Sequence, residues 1–68
     1  MADTLTNRLR ELREARGLTQ AQLAEAIGVS RKTINTVENG IYVPSTVIAL
    51  KLAAVLGEPV EALFALAE

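Results

Sequence analysis

Arg31, Lys32, Thr33, Asn35 and Thr36 crowd into one short segment, and each carries a group able to address the edge of a base pair. Arginine and lysine donate to guanine O6 and N7, asparagine pairs bidentately with adenine, and a threonine methyl meets the methyl of thymine. Ile34 and Val37 are interleaved with them at helical spacing, and Ile41 continues the stripe. A helix here buries that stripe and turns the polar side chains outward. Arg31, Lys32, Asn35 and Thr36 are the expected base readers, with Ser30 and Thr33 toward the DNA backbone. A polar helix face is more often simply solvated, so the flanking sequence has to decide.

It does so through the devices that begin and end helices. Thr19 to Gly40 reads TQAQLAEAIGVSRKTINTVENG. Thr19 and Gln22 have the spacing of a capping box, and Leu18 and Leu23 that of a hydrophobic staple. A helix is therefore predicted over residues 20–27, burying Leu23, Ala24 and Ile27. Gly28 supplies a left-handed turn, Ser30 caps the next helix, and Val29 staples onto Ile34. That helix runs to about Asn39 and ends at Gly40. Two short helices joined by Gly28-Val29-Ser30 make a helix-turn-helix, whose second helix enters the major groove of DNA. The first offers its N-terminus, with Thr19, Gln20 and Gln22, to a phosphate. Thr19 is also an ordinary cap, whereas nothing local requires a glutamine at Gln20, which assigns it the phosphate.

The rest of the chain reads as further helices. Leu5, Leu9 and Leu12 share a stripe over a first helix from Leu5 to Arg16, stopped by Gly17. Pro44-Ser45 opens a fourth helix, apolar almost all round, through Leu56 to the stop at Gly57. Pro59 suits the first turn of a fifth, reaching about Ala67. The expected fold is all-α, five helices without a strand, in a single domain spanning residues 1–68 with the helix-turn-helix at 19–40.

Composition narrows the chemistry. A chain of 68 residues buries only about 60% of the surface its unfolded form exposes. With one Phe, one Tyr and no Trp, the core falls to Leu, Ile, Val and Ala. Neither Cys nor His is present, which removes disulfides, thiolate or imidazole zinc sites and imidazole acid–base catalysis. Glu11, Glu14, Glu25 and Glu61 fall on exposed helix positions. No enzyme and no cofactor is expected. The N-terminal MADTLTNRLREL lacks the apolar centre of a signal peptide and no apolar run reaches a membrane span, so a cytoplasmic location without membrane contact is expected. The net charge of −1 argues mildly against a nucleic-acid partner. However, Arg8, Arg10, Arg13, Arg16, Arg31 and Lys32 lie in the first half, while Glu58, Glu61 and Glu68 gather at the other end. A positive side is expected.

Taken in order, RLRELREARGLTQAQLAEAIGVSRKTINTVENG, YVPS, ALKLAAVL and EALF resemble the lambda-repressor-like, Xre/Cro-type helix-turn-helix regulators, from about Asn7 to Phe64. The resemblance is to compact members with little beyond the DNA-binding domain. It implies phosphate contacts for Thr19 and Gln20 and base reading for Arg31, Lys32 and Thr36. It also implies an ion pair between Arg13 and Glu38. Physical reasoning agrees with the pair, because a glutamate beside a groove-facing helix repels phosphate unless an arginine neutralises it. After Asn39-Gly40, where the family often has a basic residue, this chain has Ile41-Tyr42-Val43. That leaves the Tyr42 hydroxyl for a backbone contact and predicts a shallower salt dependence.

The last segment, PVEALFALA, carries more apolar surface than one buried face requires. Val60, Leu63, Phe64 and Leu66 are the expected interface of a homodimer within residues 57–68, and the resemblance implies a dimer too. A two-fold dimer sets its reading helices about 34 Å apart, one turn of double-stranded DNA, and predicts a palindromic operator. The sequence therefore reads as a homodimeric transcription regulator, a repressor acting by occupancy. The competing reading is a protein-interaction module such as an antitoxin, gripping a protein partner through its apolar loop or last helix.

Overall fold

The computed structural model describes residues 3–67. Glu68, counted above with the acidic end, lies outside them, as do Met1 and Ala2 of the N-terminal stretch. The elements run β1 (Leu5–Asn7), α1 (Leu9–Ala15), α2 (Gln20–Ile27), α3 (Arg31–Glu38), α4 (Thr46–Leu56), α5 (Val60–Leu63) and β2 (Phe64–Leu66).

Where local chemistry is decisive, the helices begin as the sequence predicts. Thr19 Oγ1 accepts from the Gln22 amide at 3.0 Å, and Gln22 Oε1 accepts from the Thr19 amide at 2.9 Å, closing the capping box of α2. Ser30 Oγ accepts from the Thr33 amide at 3.2 Å to cap α3, and Ser45 Oγ accepts from the Ile48 amide at 3.2 Å to cap α4. Gly28, at φ 75°, makes the left-handed turn between α2 and α3. Leu9, Leu23, Ala24, Ile27, Ile34, Val37, Leu52, Leu56 and Leu63 form one core, with Leu18 and Val29 packed at its edge. Among the described residues no helix is long and apolar enough to cross a membrane.

Both ends depart from the expected all-helical pattern. Among the described residues there are five helices, but residues 5–7 are a strand rather than the start of α1, and α5 is a single turn rather than a helix to Ala67. β1 and β2 pair antiparallel, with Leu5 opposite Leu66 and Asn7 opposite Phe64. The Arg8 amide donates to the Leu63 carbonyl at 2.8 Å, and the Ala67 amide to the Thr4 carbonyl at 2.7 Å. Asn7 Oδ1 accepts from the Leu9 amide at 3.1 Å, which fixes the start of α1. The same side chain donates through Nδ2 to the Val37 carbonyl at 3.0 Å, tying that start to α3. The Leu5, Leu9, Leu12 spacing is compatible with a helix, but the terminal segments satisfy their backbone on each other.

A second departure concerns Ile41, expected on the buried stripe of α3. It is 77% exposed. Gly40, at φ 73°, turns the chain back, and the amides of Ile41 and Tyr42 both donate to the Thr36 carbonyl, at 2.9 and 3.2 Å. Ile41 thus leaves the helical stripe that Ile34 and Val37 define.

Candidate nucleic-acid interface

Ile34 and Val37 anchor α3 in the core, so its remaining side chains are presented outward in two groups. Arg31, Asn35 and Asn39 line a concave surface together with Thr19, Gln20 and Ala21 at the start of α2 and Arg10 on α1. Lys32, Thr33 and Thr36 face the other way, onto a shallow surface closed by Ser30, Ile41 and Tyr42. Arg31, Lys32 and Asn35 are exposed, whereas Thr33 and Thr36 are half-buried. The five polar residues singled out in the sequence therefore share a helix but not one environment.

Hydrogen bonds divide them further. Asn39 Nδ2 donates to Asn35 Oδ1 at 3.2 Å, leaving the Asn35 amide N–H groups to face outward. Thr36 Oγ1 donates to the Thr33 carbonyl at 3.0 Å, so its hydroxyl proton is spent within the helix and its methyl is the more available group. The hydroxyls of Ser30 and Thr33 share a hydrogen bond of 2.9 Å. Tyr42, 42% exposed, stands beside Lys32 and Thr33.

The floor of the concave surface is an ion pair. Arg13 Nε donates to Glu38 Oε2 at 2.6 Å, and Nη2 donates to Oε1 at 3.3 Å. The two side chains are 9% and 3% exposed. Arg13 Nη1 also donates to the Leu18 carbonyl at 2.7 Å. The hydrogen bond to Glu38 raises the Arg13 guanidinium above its already high ordinary pKa, with burial opposing. The pair joins α1 to the end of α3 and holds the loop before α2.

Gln20 belongs to this network, which corrects the expectation that nothing structural requires it. Gln20 Nε2 donates to Glu38 Oε1 at 3.0 Å, so one N–H of its amide is committed to the carboxylate and the other remains. Sequence spacing could not have shown this, because 18 positions separate the two residues.

The expected positive side is smaller than the cation count suggests. Arg8 pairs with Glu11 at 2.7 Å and Arg10 with Glu14 at 3.3 Å. Arg8 also hydrogen-bonds Glu11 and holds its carboxyl below the usual carboxylate range. Among the described residues Arg16, Arg31, Lys32 and Lys51 form no ion pair, and two of these, Arg31 and Lys32, stand side by side at the start of α3.

At the opposite end, Leu63 is 0% exposed and belongs to the monomer core, so it is removed from the expected dimer surface. Val60 and Phe64 are half-buried and Leu66 is 64% exposed. Val60 and Phe64 line an apolar groove with Leu5, Val43, Pro44 and Leu50. Leu63 ends α5 inside the core, and the strand that follows puts Phe64 and Leu66 on one face, since strand residues two apart share a face.

The arrangement of α2 and α3 has counterparts in known proteins. A family model described as Helix-turn-helix matches residues 9–63. An uncharacterised HTH-type transcriptional regulator of Methanothermobacter thermautotrophicus is 48% identical over 61 residues, covering 88% of each chain. The uncharacterised HTH-type transcriptional regulator YgzD of Bacillus subtilis is 39% identical over 64 residues, covering 94% of this chain and 97% of its own. Among solved structures, the restriction-modification controller protein C.AhdI of Aeromonas hydrophila superposes with a TM-score of 0.76 at 44% identity, covering 81% of this chain and 83% of that one. These similarities bear out the resemblance to lambda-repressor-like, Xre/Cro-type regulators, a family of transcription regulators and not of enzymes. The exposed polar face of α3, its capped approach through α2 and the matched span together place this chain in the helix-turn-helix family of DNA-binding transcriptional regulators.

Proposed function

We propose that this protein is a homodimeric repressor that reads a palindromic operator through α3. The observation carrying this reading is the outward side of α3, where exposed Arg31 and Asn35 on one flank and Lys32 on the other stand on a helix fixed in the core by Ile34 and Val37. Arg31, Lys32 and Asn35 read base edges, and Thr36 contributes mainly its methyl. Thr19, Gln20, Ser30, Thr33 and Tyr42 contact the sugar–phosphate backbone and set the register. The Arg13–Glu38 pair keeps the start of α2 and the end of α3 in fixed relation.

Two copies associate through Val60, Phe64 and Leu66, joined by Val43 and Leu50 along the apolar groove. Support comes from the exposed apolar residues Val43, Leu50 and Leu66 near this end. Changing Leu66 to Asp is expected to convert the dimer to monomer in sedimentation equilibrium, with the helical circular dichroism retained. A monomeric wild-type chain at micromolar concentration would remove the dimer from this proposal.

Selection from a randomised duplex library tests the reading itself. A palindromic winner, bound well above background, is the expected result. Arg31→Ala is then expected to cost about 1–3 kcal/mol on that duplex and to relax preference at one base pair. Unchanged preference with binding retained would take Arg31 out of the groove. No enrichment at low salt would favour the interaction-module reading, with the exposed Ile41-Tyr42-Val43 loop as the surface to examine.

A further inference from the structure

We propose that Arg10, on α1 and outside the helix-turn-helix, is a DNA-phosphate ligand held in check by Glu14. This rests on the reading that the Arg31 face of α3 meets DNA. Arg10 lines the same concave surface as Thr19 and Gln20 at the start of α2 and Arg31 and Asn35 on α3. A phosphodiester approaching the N-terminus of α2 is thereby flanked by two guanidinium groups, one from α1 and one from α3. Backbone N–H groups and the helix dipole supply the remaining attraction.

The state of Arg10 suits such a role. Its side chain is 73% exposed, and only Nε reaches Glu14, at 3.3 Å. Among the described residues its Nη groups have no side-chain partner, leaving a planar fork of the kind that binds a phosphate bidentately. The pair also runs with arginine ahead of glutamate at a separation of four, the weaker order on a helix. An exposed pair of this sort is easily exchanged for a better anion. Arg13 differs, since it is buried and engaged with Glu38 and Leu18, and its Nη2 also lies 4.0 Å from Glu14 Oε2. One turn of α1 thus separates a buried, structural arginine from an exposed one.

Glu14 then acts against binding. Its carboxylate, 56% exposed, lines the same surface and repels the phosphate that Arg10 attracts. Arg10 exchanges Glu14 for the DNA backbone when the complex forms, and part of the gain is lost to the abandoned pair.

Salt titrations of the full chain on its selected duplex and on a random duplex test this. Arg10→Ala is expected to lower the slope of log K against log[salt] by about 0.9, one phosphate contact. It should weaken both duplexes by the same factor, while Arg10→Lys keeps the slope. Glu14→Gln is expected to tighten both severalfold. Arg31→Ala, titrated alongside, reports on the face itself by changing base preference. If Arg31→Ala changes preference but Arg10→Ala leaves the slope intact, Arg10 is not a ligand and the groove reading survives. If the wild-type chain binds neither duplex, or Arg31→Ala changes nothing, both fail together.

Discussion

Replacing Arg13 with alanine is expected to cost about 3–5 kcal/mol of folding stability, read as a large fall in the urea midpoint. The change leaves Glu38, whose side chain is 3% exposed, with a carboxylate held only by the Gln20 amide. An uncompensated buried charge is far more expensive than the pair was favourable. It also removes the hydrogen bond that holds the Leu18 carbonyl, so the loop leading into α2 loosens. A chain of 68 residues has in total about 3–10 kcal/mol to lose, so much of the variant should be unfolded at physiological temperature. Substituting both partners, Arg13→Met with Glu38→Leu, is expected to recover most of the loss, because no charge is then stranded. That double variant should nonetheless bind DNA poorly, since Gln20 loses the carboxylate that orients it. Loss of less than about 1 kcal/mol in Arg13→Ala would mean that Glu38 finds water, and the network would then be peripheral rather than structural.

Leu63→Ala carries the other large effect, about 2–5 kcal/mol, as a cavity in the centre of the core. Leu63 is 0% exposed and sits beside the point where the Arg8 amide bonds its carbonyl, so truncation strikes both the core and the closure of the two termini. The loss should be present at every protein concentration. Leu66→Asp offers the contrast: Leu66 is 64% exposed, so the monomer fold should change little. What that variant should remove is the rise of the unfolding midpoint with protein concentration that a dimer requires. Were Leu63→Ala to act only through concentration dependence, Leu63 would belong to the interface after all.

The contrast between these two leucines shows where sequence reasoning reached its limit. Both lie in PVEALFALA, whose excess of apolar residues put both among the expected interface residues. The structure ends the helix at Leu63 and continues as a strand, which buries one residue and exposes the other. Gln20 is a similar case, with a partner 18 positions away, and so is Asn7, which joins the start of α1 to the Val37 carbonyl. Each depends on a bond between residues that no local pattern relates.

The caps and turn of the helix-turn-helix and the cap of α4, which rest on bonds within a few residues, were written in the sequence alone. The capping box of Thr19 and Gln22, the Ser30 and Ser45 caps and the left-handed Gly28 fix helices whose partners sit three or four positions away. The apolar spacing of Ile34 and Val37 likewise dictates which face of α3 remains outside. Family membership followed from the same run, because the motif order carries it and residues 9–63 match as one span. Tertiary structure alone decided that the two ends meet as a β-ribbon and that Arg10 joins Arg31 around one concavity. The physical reason is common to both: they arise when distant backbone donors and side chains find each other, and periodicity records only what a segment does with its own neighbours.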